Sequence, residues 1–244
     1  MNDEIELTAM AAAGVHETAV AMLTAPKTAR IVDMPSGEGA LTQRLLRAGF
    51  GNITCADIQF DAIAVKDRVS CVQVDLRQTL AFADGEFDAV FCIECIEHLE
   101  NPYHLMRELG RITKPGGQII LSTPNIMSTN ARSKYLTAGY LPHFIELSFD
   151  WNALTALGFQ GHIMPISLSL ILYMAHINGL TIEDIRTNRF KRRPKLKDKL
   201  LAWLIRRASK RFYPPQVERL LTCDAVLYGE IIIMRLIKQS TPTA

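Results

Sequence analysis

The 244-residue sequence has no apolar run long enough to cross a bilayer. Its longest candidate, Ile163 to Ile177, is short and broken by Pro165, Ser167, Ser169 and His176, whereas a spanning helix needs about 20 apolar residues. Cysteine is also scarce: five residues make neither a disulfide scaffold nor an even set. Cys92 and Cys95 have the spacing of half a zinc site, but no second Cys or His pair completes it, and no metal is expected. Cys55, Cys71 and Cys92 sit inside apolar runs and read as buried, reduced thiols used as small hydrophobes. Glycine (14) and proline (11) stand at ordinary levels, which excludes collagen-like and low-complexity chains. A hydrophobic content of 48% excludes wholesale disorder. The acidic start, Met-Asn-Asp-Glu-Ile-Glu, is unlike a secretory or transit signal, so a cytoplasmic protein is expected.

What is present is an alternation of strand and helix signals. Residues 14–25 read as a helix stopped by Pro26. Strands are expected at Ala29–Met34, Ile53–Ile58, Val69–Val74, Phe87–Ile93 and Gln118–Ser122. Between them, helical spacing appears at Leu41, Leu45 and Leu46 and at Pro102–Ile112, and a short helix is expected at Asp61–Arg68. This order implies an α/β fold: a Rossmann-like, doubly wound, mostly parallel seven-stranded sheet whose last strand is antiparallel. Such sheets bind ligands beyond the carboxyl ends of their strands. Asp33, Asp57, Asp75 and Glu94 fall at or near those ends, which turns four scattered acids into one candidate pocket. Further on, Ser167–Asn178 reads as a helix, 179–186 as a strand and Ala225–Ile237 as a long strand interrupted by Gly229-Glu230. A single domain over 1–244 is expected, with a cofactor core at 14–125, a lid or substrate insertion at 126–165, a basic insertion at 189–222 and the last strand at 223–238.

The loop Asp33-Met-Pro-Ser-Gly-Glu-Gly-Ala-Leu-Thr follows a strand and opens a helix. A dinucleotide loop needs three glycines, and Thr42 stands where the third belongs. Glu38 would repel a pyrophosphate, so a positively charged cofactor without phosphate fits better. Here the sequence resembles the class I S-adenosylmethionine-dependent methyltransferases of the ubiquinone type, from about Gly14 to Asn125. The family pattern, acidic-x-Gly-x-Gly-x-Gly, appears as Asp33 to Gly39 with Pro35 in place of the first glycine. The resemblance implies S-adenosylmethionine as cofactor, held by Asp33, Met34, Pro35, Gly37, Gly39, Asp57, Ile58, Asp75, Leu76 and Glu94. Asp57 resembles the acid that accepts the ribose hydroxyls, and two carboxylate oxygens suit a diol. Asp75, with Leu76 behind it, resembles the residue that receives the adenine amino group.

Methyl transfer from a sulfonium is an in-line displacement, in which the protein aligns the reactants and excludes water. A hydroxyl nucleophile often needs a general base. His98, in the Glu97-His98 pair after the fourth strand, is the base candidate; its alternative role is to bond the local turn. His143 and His162 are candidate substrate contacts. No Asn-Pro-Pro-Tyr signature follows the fourth strand, so a hydroxyl acceptor is favoured by elimination.

Between Arg189 and Arg211 there are eleven Lys or Arg and one acid, while the rest of the chain is net negative. Leu196, Leu200, Trp203, Leu204 and Ala208 share one helical stripe. A cationic amphipathic helix with Trp suits an anionic membrane surface, here through 189–213. A nucleic-acid contact, a solvated surface helix, or a stripe packed on the domain, are the alternatives. The expected function is methyl transfer to a hydroxyl of a small-molecule, glycan or lipid-linked acceptor, and the resemblance extends to methyltransferases of bacterial surface-polysaccharide pathways. An RNA methyltransferase, or an inactive membrane or partner adaptor, remain open beside it.

Overall fold

A computed structural model describes residues 6–144, 151–152, 161–190 and 193–240. Seven strands form one sheet: β1 (Ile31–Asp33), β2 (Ile53–Asp57), β3 (Ser70–Gln73), β4 (Phe87–Cys92), β5 (Thr113–Pro124), β6 (Leu180–Thr187) and β7 (Ile231–Lys238). Their spatial order is β3-β2-β1-β4-β5-β7-β6. The first five run parallel, while β7 lies antiparallel to both β5 and β6. The helices are α1 (Val15–Met22), α2 (Ala40–Arg47), α3 (Pro102–Ile112), α4 (Thr129–Ala138), α5 (Leu168–Ile177), α6 (Leu196–Phe212), α7 (Pro215–Leu221) and α8 (Asp224–Tyr228).

Both faces of the sheet are covered, so the central strands are continuous apolar runs. Ile31, Ala89, Phe91 and Ile120 pack with Val15, Ala19 and Met22 of α1 and Leu41 and Leu45 of α2. Val32, Val90 and Cys92 point the other way, onto Leu105, Met106 and Leu109 of α3 and Ile171 and Met174 of α5. Each fully buried Leu or Met there contributes about 1.5–3 kcal/mol. Helix α3 begins at Pro102, where a missing N–H costs nothing. The Asn101 side chain caps it by accepting the His104 N–H at 3.0 Å. Near its other end, Arg111 donates to Glu108, to Asp84 and to the carbonyls of Leu80 and Phe82. That hub fastens the segment before β4 to the helix.

Some expectations change. The segment 61–68 is not a helix but a 3-10 turn at Phe60–Ala62 followed by turns. It holds the β1–α2 loop through the Ala64 N–H, which donates to Glu38 O at 2.9 Å. The apolar run from Ala225 is not one strand: α8 occupies 224–228, and β7 begins only at Ile231. The expected interruption at Gly229-Glu230 is the junction between them. Within 126–165, the Ser128 hydroxyl caps α4 by accepting the Ala131 N–H, an element with no apolar period to announce it. The remainder of that expected insertion at 145–150 and 153–160 lies outside the described residues.

Candidate active site

β1, β2 and β4 end side by side, and the acids at their ends share one edge of the sheet. Asp33 is buried and accepts the Thr42 hydroxyl at 2.8 Å. Burial pushes its carboxyl up to about 7, with the Asp57 charge adding and the Thr42 bond opposing. The Met34 side chain is buried in the core, so only its backbone joins the loop. The Met34–Pro35 peptide is cis, and the Ser36 N–H donates to Ala56 O at 3.0 Å. Gly37 and Gly39 adopt left-handed φ of 53° and 94°. A Cβ on Gly39 would lie 2.6 Å from Val65 Cγ2. The missing side chain there admits Val65 of the same chain, a packing reason the loop pattern alone does not reveal.

The buried Asp57 carboxylate is held by two backbone donors, Gly37 N–H and Gln59 N–H, both at 2.8 Å. Each oxygen keeps a further lone pair for a diol. Ile58 beside it is exposed. Asp75, by contrast, is half-exposed and takes a two-pronged bond from Arg77, with both contacts at 2.8 Å. That guanidinium holds its carboxyl below the usual range. Leu76 packs against the core.

A second cluster follows β4. Glu94 has φ 49° and His143 φ 70°, left-handed values that are costly for residues with a Cβ. The Ser122 hydroxyl accepts the Glu94 N–H at 2.9 Å and lies 3.3 Å from its Oε1. Burial pushes Glu94 up to about 7, and the nearby Glu230 carboxylate adds to this. Glu97 is fully buried; it accepts the Thr123 hydroxyl through Oε2, while Oε1 has no partner among the described residues. Burial and Glu94 raise Glu97 well above the ordinary carboxyl range. His98 Nδ1 lies 3.0 Å from Gly161 O, and His162 Nδ1 2.6 Å from His143 O. A carbonyl can only accept, so each Nδ1 carries the proton and each Nε2 is the basic nitrogen. The two rings meet edge to face at 4.7 Å. Ligand atoms of Glu97, His98 and His162 lie within 4.8 Å of one another, a donor set able to hold a divalent cation. The sequence had suggested no such set.

The fold therefore gathers Asp33, Asp57, Gly37 and Gly39 at the loop, and Glu94, His98, His143 and His162 beyond β4. It also adds residues the sequence reading missed: Ser122, Thr123 and Glu230. Glu230 had one signal, a carboxylate inside an apolar run. Residues 33–39 contain two acids and no Lys or Arg, a donor set suited to a sulfonium cofactor and unsuited to a phosphate. A wide hollow of about 460 Å³ beside His16 and Arg44 contains none of the strand-end acids. A smaller cavity of about 280 Å³ borders His143 and Glu230.

Residues 32–121 match the model of a family described as a methyltransferase domain. The chain is 36% identical over 105 residues to ubiquinone biosynthesis O-methyltransferase of Xanthomonas oryzae pv. oryzae (strain PXO99A), covering 40% of this chain and 44% of that protein. With the protein of the same name from Xanthomonas axonopodis pv. citri (strain 306) it is 35% identical over 168 residues, 66% of each chain. The chain thus spans about half the length of several curated relatives it matches, 44% or 47%. Among solved structures, a putative methyltransferase from Bacillus halodurans C-125 superimposes with a TM-score of 0.60 at 19% identity, over 92% of this chain and 99% of that one. The putative methyltransferase bound to the Trm112 activator of Haloferax volcanii gives 0.62 at 16%, over 95% and 91%. The fold is that of the Rossmann-like methyltransferases. Residues 32–121 are similar to a methyltransferase domain, and solved neighbours of this fold include S-adenosylmethionine-dependent methyltransferases.

Proposed function

We propose that this protein transfers the methyl group of S-adenosylmethionine to a hydroxyl of a small-molecule, glycan or lipid-linked acceptor. One observation carries the reading: His98 Nδ1 lies 3.0 Å from Gly161 O, which makes Nε2 the basic nitrogen, and the residue clusters with Glu97 and His162 after β4. The O-methyltransferase names of the relatives support a hydroxyl acceptor. Asp57, fixed by Gly37 and Gln59, would hold the ribose diol. Asp33, the backbone of Met34, Pro35, Gly37 and Gly39, and Glu94 would flank the methionine part. Ile58, Asp75 and Leu76 would border the adenine, with Arg77 competing for the Asp75 oxygens. The cofactor supplies an activated methyl group on a sulfonium. His98 Nε2 would accept the hydroxyl proton, and His162 and His143 would contact the acceptor.

Titration with S-adenosylhomocysteine tests the cofactor site. Binding to the wild type that is lost in Asp57→Ala supports it; no binding by folded wild type sinks it. A second reading is favoured by the Glu97, His98 and His162 set: a divalent cation there would acidify the acceptor hydroxyl in place of a general base. Loss of methyl transfer after chelation, restored by added magnesium or manganese, would select it over the base.

A membrane-surface location is part of the proposal. On α6 the apolar stripe faces outward: Leu196, Leu200, Trp203 and Leu204 are all exposed. Asp198, Ala202 and Ser209 face the domain instead, so the packed-stripe alternative does not hold. No helix among the described residues is long and apolar enough to cross a membrane. Sedimentation with phosphatidylglycerol vesicles that is abolished by Leu200→Glu/Trp203→Glu supports docking; salt-sensitive RNA binding without vesicle binding favours the nucleic-acid reading.

A further inference from the structure

We infer that the cavity of about 280 Å³ between α4, the turn at 142–143 and the α8–β7 junction is a sugar-type acceptor site. The inference rests on the methyl-transfer reading and names the chemistry of its acceptor.

The floor of the cavity is rigid. The Asn125 N–H donates to Glu230 O at 3.0 Å, and its side-chain amide donates to the carbonyls of Val226 and Gly229. This ties the end of β5 to the start of β7 and fixes Glu230. The Glu230 carboxylate is 5% exposed, with Arg189 Nε at 2.6 Å from one oxygen and His143 Nε2 3.9 Å from the other. His143 lines the cavity and its carbonyl lies 2.6 Å from His162 Nδ1, so the cavity adjoins the histidine cluster after β4.

The remaining walls mix polar and apolar groups, with Pro142 and Pro194 among them. Asn130 and Lys134 from α4, Tyr228 and Asp198 line it with His143 and Glu230. Lys134 forms no ion pair with a described residue, and the Asn130 amide has no hydrogen-bond partner among them. Donors and two carboxylates thus face one small space, and among the described residues no Leu, Ile, Val, Phe or Met lines it. A ring bearing several hydroxyls satisfies both kinds of group. An aromatic ring with a long apolar tail would strip water from them without replacing its bonds, at the cost of leaving buried polar groups unpaired. The size, at the lower end of small-ligand pockets (about 300–1,000 Å³), suits one ring rather than an oligomer.

The test uses the whole chain saturated with S-adenosylhomocysteine. Saturation-transfer NMR is run with free glucose, rhamnose and glucuronate, and separately with catechol. The expected result is binding of at least one sugar and none of catechol. Lys134→Ala or Asn130→Ala should weaken that sugar by about tenfold, the scale of one hydrogen bond to a charged or buried partner. Neither variant should change S-adenosylhomocysteine affinity, which also reports that both are folded. Catechol binding without sugar binding, or sugar binding indifferent to both variants, overturns the inference. The two readings fail separately. If the wild type binds S-adenosylhomocysteine and no sugar, the sugar site falls and methyl transfer stands. If it binds sugar but not S-adenosylhomocysteine, methyl transfer falls and the sugar site stands.

Discussion

Replacing Asp33 by Asn should make the protein more stable at alkaline pH. Asp33 is 1% exposed, and burial lifts its carboxyl to about 7 from an ordinary 3.8. Between those values the folded chain holds a proton that the unfolded chain has released. Stability therefore falls as pH rises from about 4 to about 7, because the native state binds more protons than the unfolded state. A gap of about three units corresponds to about 4 kcal/mol in all, of which about 2 kcal/mol falls between pH 5 and pH 7 and about 3 kcal/mol between pH 5 and pH 8. Asn has the same shape, stays neutral and still accepts the Thr42 hydroxyl that Asp33 accepts at 2.8 Å. The stability difference between Asp33→Asn and wild type should therefore grow by about 3 kcal/mol from pH 5 to pH 8, or about 6–12 °C in melting temperature for a chain of this size. Glu94, also raised by burial, titrates in both proteins and cancels in the difference. Urea unfolding of the two proteins at both pH values measures it. A difference independent of pH would show that Asp33 is ionised in the folded protein and would refute the reasoning.

Gly39→Ala should destabilise the fold by about 2–4 kcal/mol, from a left-handed residue with a Cβ and an overpacked contact. Its Cβ would press on Val65 at 2.6 Å, so adding Val65→Ala should recover part of the loss in urea unfolding. His98→Ala should lower the methyl-transfer rate by about 10²–10⁴ while S-adenosylhomocysteine affinity holds, as expected for a base. A rate unchanged in that variant would return His98 to a turn-bonding role. Arg111→Ala should cost about 2–3 kcal/mol in thermal or urea unfolding, because it leaves Glu108 and the carbonyls of Leu80 and Phe82 without their shared donor.

The order of elements through β5 was legible because each central strand is an apolar run bounded by turn residues, and α3 carries its apolar face at helical spacing and its Pro at the first position. Asp33 and Asp57 were legible for a related reason: they terminate such runs, and parallel strands place their ends together. The segment 61–68 misled because a short stretch between two strands reads as a crossover helix, yet Ile63 and Val65 pack over Cys55 from turns that bond the glycine loop. Glu230 was hidden because its meaning depends on β7 lying antiparallel beside β5, a pairing between segments far apart in the chain. The histidine and carboxylate cluster was hidden in the same way, since His162 reaches His98 only through the packing of 161–164 on Glu97, whose carbonyl accepts the Ile163 and Met164 N–H groups.

The sequence by itself determined the parallel α/β core, the acids at its strand ends and the amphipathic character of α6, because these depend on local periodicity and on residue type. Only the tertiary structure decided which face of α6 meets solvent, which carboxyls are buried and where the cavity beside Glu230 forms. Those depend on burial and on contacts between distant segments, and burial is a property of the packed chain that no local pattern encodes.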